Sequence, residues 1–135
     1  MNDVDEVLKM YGLVPSKQYL DEIRKLLIEE TSTQVLKDHE LLKTLCVQLF
    51  AIGCVEDTSL IWRAKRKDFD AGCYIDVQLL CGAGVEETTR YLKELRNHET
   101  SEELDCLQKS IIAGDFNEFS KDSILDFYKG YYGIS

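Results

Sequence analysis

Residues 37–66, KDHELLKTLCVQLFAIGCVEDTSLIWRAKR, lie without a gap on residues 67–96, KDFDAGCYIDVQLLCGAGVEETTRYLKELR. Nine of the 30 positions are identical: Lys37/Lys67, Asp38/Asp68, Val47/Val77, Gln48/Gln78, Leu49/Leu79, Val55/Val85, Glu56/Glu86, Thr58/Thr88 and Arg66/Arg96. Self-similarity at a fixed period is the mark of a repeat architecture, and it organises the rest of the chain. A further shift of 30 lands more weakly, on Gln108, Ala113 and Gly114, so the following unit is degraded. Upstream, EVLKMYGLVPSKQYLDEIRKLL has the same order of helix, glycine and helix with different residues. The expected units are 1–36, 37–66, 67–96 and 97–135, in one domain.

Within a unit the apolar spacing is helical. Leu41, Leu42, Leu45, Cys46, Leu49 and Phe50 recur at three and four residues, and Ala71, Ile75, Leu79 and Leu80 repeat the phase. Gly53 marks one turn and Gly82 with Gly84 the other, where glycine enters a left-handed conformation cheaply. The second helices open on acids (Glu56, Asp57; Glu86, Glu87) and close on bases (Arg63, Lys65, Arg66, Lys67; Lys93, Arg96), which complements the helix dipole. Pro15 marks the entrance to SKQYLDEIRKLL. Ile124, Leu125, Tyr128, Tyr131 and Tyr132 form one stripe of a last helix, expected to close over the final repeat. No stretch alternates at period two, so the expectation is an all-α fold without strands.

LFAIGCVEDTSLIWRAKRKD and LLCGAGVEETTRYLKELRN resemble short HEAT-like repeats, and SIIAGDFNEFSKDSILDFY follows the pattern loosely. The resemblance covers residues 37–126. It implies a right-handed stack of antiparallel helix pairs, an α-α solenoid of about four hairpins, that binds another macromolecule along a concave surface.

The chain of 135 residues is long enough to bury one substantial core. Its formal charge is −9, and acids exceed bases in every third of the sequence. Such a field repels phosphate backbones and anionic lipid, so neither nucleic acid nor membrane is the expected partner, whereas a basic protein fits. The start, MNDVDEVLKMYG, has no secretory signal pattern, and no run approaches the length of a spanning helix, which together point to the cytoplasm. Five cysteines, Cys46, Cys54, Cys73, Cys81 and Cys106, form no CxxC pair and read as small buried residues rather than disulfide partners or zinc ligands.

Chemistry has little to stand on. His39 and His98 are 59 positions apart, no histidine neighbours a cysteine, and no phosphate-binding loop, HExxH or GxSxG is present. The expectation is no catalytic residue, no metal and no cofactor. The basic run Trp62–Lys67 looks like a phosphate-binding strip, yet Trp62 aligns with Leu92 and belongs to the core. Arg63/Lys93 and Arg66/Arg96 would form a ladder of cations along side-by-side second helices. With Lys67, Glu86, Glu87 and Arg90 they make the expected partner-binding surface of an adaptor or inhibitor. An acidic immunity-type or antitoxin-type inhibitor of a basic toxin is one version of it. Gln48, Gln78 and Gln108, evenly spaced, read as a side-chain ladder. Asp76 falls on the apolar face where Cys46 stands, and a buried carboxylate needs partners. An enzyme or small-molecule binder with a cleft near Cys73, Asp76 and Cys81 is therefore the rival expectation.

Overall fold

The computed structural model describes residues 3–34 and 39–134. Asp3 accepts a hydrogen bond from the Glu6 amide (2.9 Å) and so caps α1, Val4–Tyr11. Pro15 is buried just ahead of Ser16, which caps a 3-10 turn, Lys17–Tyr19, leading into α2, Leu20–Ser32. Next come α3, His39–Ile52, a 3-10 turn over Val55–Asp57, and α4, Thr58–Lys65. The third unit holds α5, Phe69–Tyr74, a 3-10 segment over Val77–Cys81, and α6, Val85–Leu95. The chain ends with α7, His98–Ile112, and α8, Lys121–Tyr131. Among the described residues there is no strand, and no helix is long and apolar enough to cross a membrane.

Glycines with φ between 77° and 98° follow α1, α3 and α7, at Gly12, Gly53 and Gly114, and Gly84 follows the Val77–Cys81 segment rather than α5. The helix–glycine–helix order read from the sequence is thus broken in residues 67–96, where an extended stretch and a 3-10 segment separate the first helix from the glycine. Gly82 serves a second purpose: a Cβ there would lie 2.6 Å from the Phe50 carbonyl oxygen, so the ends of α3 and of the Val77–Cys81 segment meet backbone to backbone.

Every residue of α3 from Leu41 to Ala51 is buried. A helix that is apolar nearly all round has to be enclosed, and α3 packs against α1, α2, α4, α5, the Val77–Cys81 segment and α8. Most of its buried polar groups are matched, Gln48 Oε1 being without a hydrogen-bond partner. Thr44 Oγ1 donates to the Glu40 carbonyl (2.7 Å) and takes the Tyr132 hydroxyl proton at 2.7 Å. Gln48 Nε2 donates to the Val7 and Gly12 carbonyls (3.1 and 2.9 Å). The core continues through Ile23, Leu27, Ile61, Trp62, Leu92 and Leu107.

The two aligned units differ where the alignment placed Asp76 on an apolar face. α5 stops after six residues, Ile75 and Asp76 are extended, and Asp76 turns outward to cap the next segment at the Gln78 amide (3.1 Å). A continuous helix would have buried that carboxylate without a partner, which costs more than interrupting the helix. Val47 is accordingly buried and Val77 only partly so, while Leu49 and Leu79 are both buried. Lys65 Nζ donates to the Gly72 carbonyl (2.7 Å) and to that of Ile75, supplying donors to the end of the shortened helix.

Two further expectations change. The glutamines form no ladder: Gln48 reaches the first unit, Gln78 Nε2 donates to the Asp115 carbonyl (2.7 Å) in the last unit, and Gln108 is exposed. The C-terminal helix does not simply close the final repeat. Through Tyr131 and Tyr132 it lies on α3, because α5 is too short to cover that flank. Asp68 caps α5, accepting from the Ala71 amide (2.7 Å); Asp38, which aligns with it, and Lys37 lie outside the described residues.

Candidate partner-binding site

The surface expected from the repeat is split. Arg63 makes a bidentate pair with Glu99 (2.8 and 3.1 Å), and Arg66 pairs with Glu102 (3.1 Å), so α7 occupies the cations of α4. The Arg63 guanidinium holds the Glu99 carboxyl below its ordinary range. Lys67 donates to the Thr31 and Thr33 carbonyls at the end of α2. On α6, Glu86, Glu87, Arg90, Lys93 and Arg96 are exposed, with Arg90 bound to Glu87 (3.0 Å) and Arg96 in the left-handed conformation that ends the helix. The cation ladder is thus interrupted by carboxylates that the repeat alignment could not reveal, since Glu99 and Glu102 belong to the degraded unit. The basic run Trp62–Lys67 is likewise engaged inside the fold: Trp62 is 5% exposed and lies under the Arg66 guanidinium.

Cys73, Asp76 and Cys81 do not share a cleft. Cys73 is exposed and Cys81 buried, and burial pushes the Cys81 thiol up to about 12. Burial also raises the thiol of Cys46. Asp76 instead lines a groove of about 240 Å³ with Gln78, Leu79, Ile124, Phe127 and Tyr128, which neither cysteine enters. A larger and more open depression of about 660 Å³ lies between α4, α5 and α7, with Trp62, Lys65, Gly72, Cys106 and Lys109 among its lining. Burial lowers the Lys65 ammonium there, but that group is already bonded to two carbonyls. His39 contacts Asp68 (3.2 Å) and His98 contacts Glu102 (2.7 Å). Among the described residues, no group of three or more His, Cys, Asp or Glu is placed to hold a metal ion.

The feature that sequence reading missed is an aromatic ridge. Phe127 and Tyr131 on α8 stack with centroids 6.4 Å apart and are 63% and 47% exposed. The Lys43 ammonium sits 4.1 Å from the Tyr131 ring and 5.3 Å from that of Tyr74, which is itself 44% exposed. Tyr131 accepts from Lys43 (2.9 Å) and donates to Glu40 (2.6 Å), so its ring is held in place. The ridge runs from the Asp76 groove across α8 to Tyr74 and His39, whose rings are 5.4 Å apart. The signal was partly present, since Phe127 stands three residues after Ile124 and four before Tyr131. No sequence signal placed Lys43 or Tyr74 beside it.

A second cluster is wholly internal. Glu103 on α7 is buried, its Oε2 accepts from Thr58 Oγ1 (2.6 Å), and its Oε1 has no hydrogen-bond partner; the Thr88 hydroxyl is also unpartnered. Burial, opposed by the Thr58 bond, lifts the Glu103 carboxyl to about 7. Asp57, also buried, is raised by burial but bound by Arg24 at 2.6 and 3.2 Å.

Comparisons with family models, with curated proteins and with solved structures find no match to this chain.

Proposed function

We propose that this chain is a protein-binding helical module, an adaptor or inhibitor with no catalytic step of its own. The observation that carries the reading is the exposed ridge Phe127–Tyr131–Tyr74, fixed from beneath by Lys43 and Glu40. Rigid aromatic side chains bury large areas on docking and lose little conformational freedom, which is why they dominate binding energy at interfaces. A chain of charge −9 favours a basic partner, and an immunity-type or antitoxin-type inhibitor of a basic protein is the specific form that this charge supports. The α6 face, Glu86, Glu87, Arg90, Lys93 and Arg96, is the second surface of this proposal, contiguous in sequence and exposed. As to architecture, the positive-φ glycines at 12, 53 and 114 support a HEAT-like order of helix pairs, from which α5 departs by its break and α8 by lying on α3.

The test is capture from a lysate of the organism that encodes the chain, with three baits: the natural sequence, Phe127→Ala with Tyr131→Ala, and Arg90→Glu with Lys93→Glu and Arg96→Glu. Loss of a partner with the first variant alone supports the ridge, and loss with the second alone moves the site to α6. Equal capture by all three rejects both surfaces.

A further inference from the structure

We propose that the groove between the Val77–Cys81 segment and α8 receives a single arginine or lysine side chain of a protein partner, with Asp76 as its counter-ion. The proposal rests on the reading of the aromatic ridge as partner-facing, and it names the chemistry that the ridge accepts.

The shape of the groove sets the size of the occupant. At about 240 Å³ it lies below the range of roughly 300–1,000 Å³ typical of cofactor and small-molecule pockets, which suits one long side chain. Its lining then sets the chemistry. Ile124, half-buried, offers apolar surface for a methylene stem beside the buried Leu79 and Tyr128, and Phe127, largely exposed, offers a ring on which a guanidinium can stack. Asp76 contributes the charge. One of its oxygens, Oδ1, is committed to the Gln78 amide at 3.1 Å, and Oδ2 has no hydrogen-bond partner among the described residues.

No cation among the described residues fills this place. Lys65 is close enough to feel Asp76, but its ammonium is spent on the Gly72 and Ile75 carbonyls. Lys43 is enclosed by Tyr131, Tyr74 and Glu40 farther along the ridge. An apolar side chain entering the groove would strip water from a carboxylate without replacing it, a cost that a cation avoids. Arginine is preferred over lysine because its planar head can lie on Phe127 while donating to Asp76.

The probe is the blocked tripeptide acetyl-Gly-Arg-Gly-amide, titrated at millimolar concentration against the isotope-labelled full chain and followed by NMR. Its citrulline counterpart, of the same shape without the charge, is the control. The expected result is saturable shifts of the Leu79 and Ile124 methyls and the Phe127 ring, about tenfold weaker with citrulline. Asp76→Asn keeps an N-capping side chain, so the fold is retained, and should abolish the preference for arginine. Shifts that are absent, that fall elsewhere, that are equal for the two peptides, or that are unchanged in Asp76→Asn overturn the assignment. The outcome is separable from the capture experiment. If the peptide binds here while lysate capture ignores Phe127 and Tyr131, the groove stands and the wider reading falls. If capture needs the ridge but the peptide does not bind, the groove alone is lost.

Discussion

Glu103 makes the stability of this fold depend on pH in the direction opposite to that of a salt-bridged carboxylate. In the unfolded chain its carboxyl titrates near 4.5, and in the fold burial lifts it to about 7. Below about pH 4.5 the group is protonated in both states and adds no pH dependence. Between the two values the folded chain holds a proton that the unfolded chain has released, so stability falls as pH rises, by about 1.4 kcal/mol per pH unit. Above about 7 both forms are ionised, and the fold carries the full penalty. The span from 4.5 to about 7 makes this penalty about 3 kcal/mol, a large fraction of the roughly 5–15 kcal/mol of a typical domain. The groups facing Glu103 offset it only in part: Thr58 donates to Oε2, Arg63 attracts the charge and Glu99 repels it. Glu103→Gln removes the titration while preserving shape. Urea unfolding of both chains at constant ionic strength, from about pH 5 to about pH 8, should find them within about 1 kcal/mol at the acid end and the variant more stable by up to about 3 kcal/mol at the alkaline end. Other titrating groups cancel in that difference. A difference that stays constant across the range refutes the buried ionisable Glu103.

Arg24→Ala leaves Asp57 buried without its cation and should destabilise the fold by about 2–3 kcal/mol, discounted because the guanidinium is a quarter exposed; adding Asp57→Asn should restore part of the loss in the same unfolding assay. Gly82→Ala pushes a methyl into the Phe50 carbonyl and should cost about 2 kcal/mol or more, whereas Gly130→Ala, on an open part of α8, should stabilise by about 0.5–1 kcal/mol; thermal melts of the pair compare close approach with helix propensity. A thiol reagent applied to the native protein should label Cys73 fastest and leave Cys46 and Cys81 unlabelled until the chain unfolds, as resolved by mass spectrometry over time.

What the sequence exposed depended on whether a residue acts locally. α3 and α6 are legible because their apolar residues recur at helical spacing, and the α6 ends are legible because Glu86, Glu87 and Lys93 answer the helix dipole. The positive-φ glycines at 53 and 84 are legible for the same reason, being requirements of the chain's own turn. Repeat arithmetic misled where equivalent positions face different neighbours. Gln48 and Gln78 are identical in sequence, but each bonds to whichever loop lies next to it. Arg63 and Arg66 look free until α7 brings Glu99 and Glu102 to them from about 36 positions away. Glu103 gave no signal at all, since nothing in HETSEELDCLQKSII separates the buried glutamate from the exposed acids beside it except that Thr58 waits opposite.

Asp76 links the fold to the candidate site. Its place on the apolar face conflicted with its chemistry, and the conflict is resolved by breaking the helix rather than by burying a charge. With α5 cut to six residues, the flank of an all-round apolar α3 is left uncovered, and the aromatic stripe of α8 supplies the missing surface through Tyr128, Tyr131 and Tyr132. α8 can serve that role only by turning its tyrosines toward α3, which leaves Phe127 on the rim beside the carboxylate that caused the break. The groove, its charge and its aromatic wall therefore share one origin. A neutral apolar residue at position 76 would lift the constraint that shortens α5, so a change there acts on the ridge and the core together.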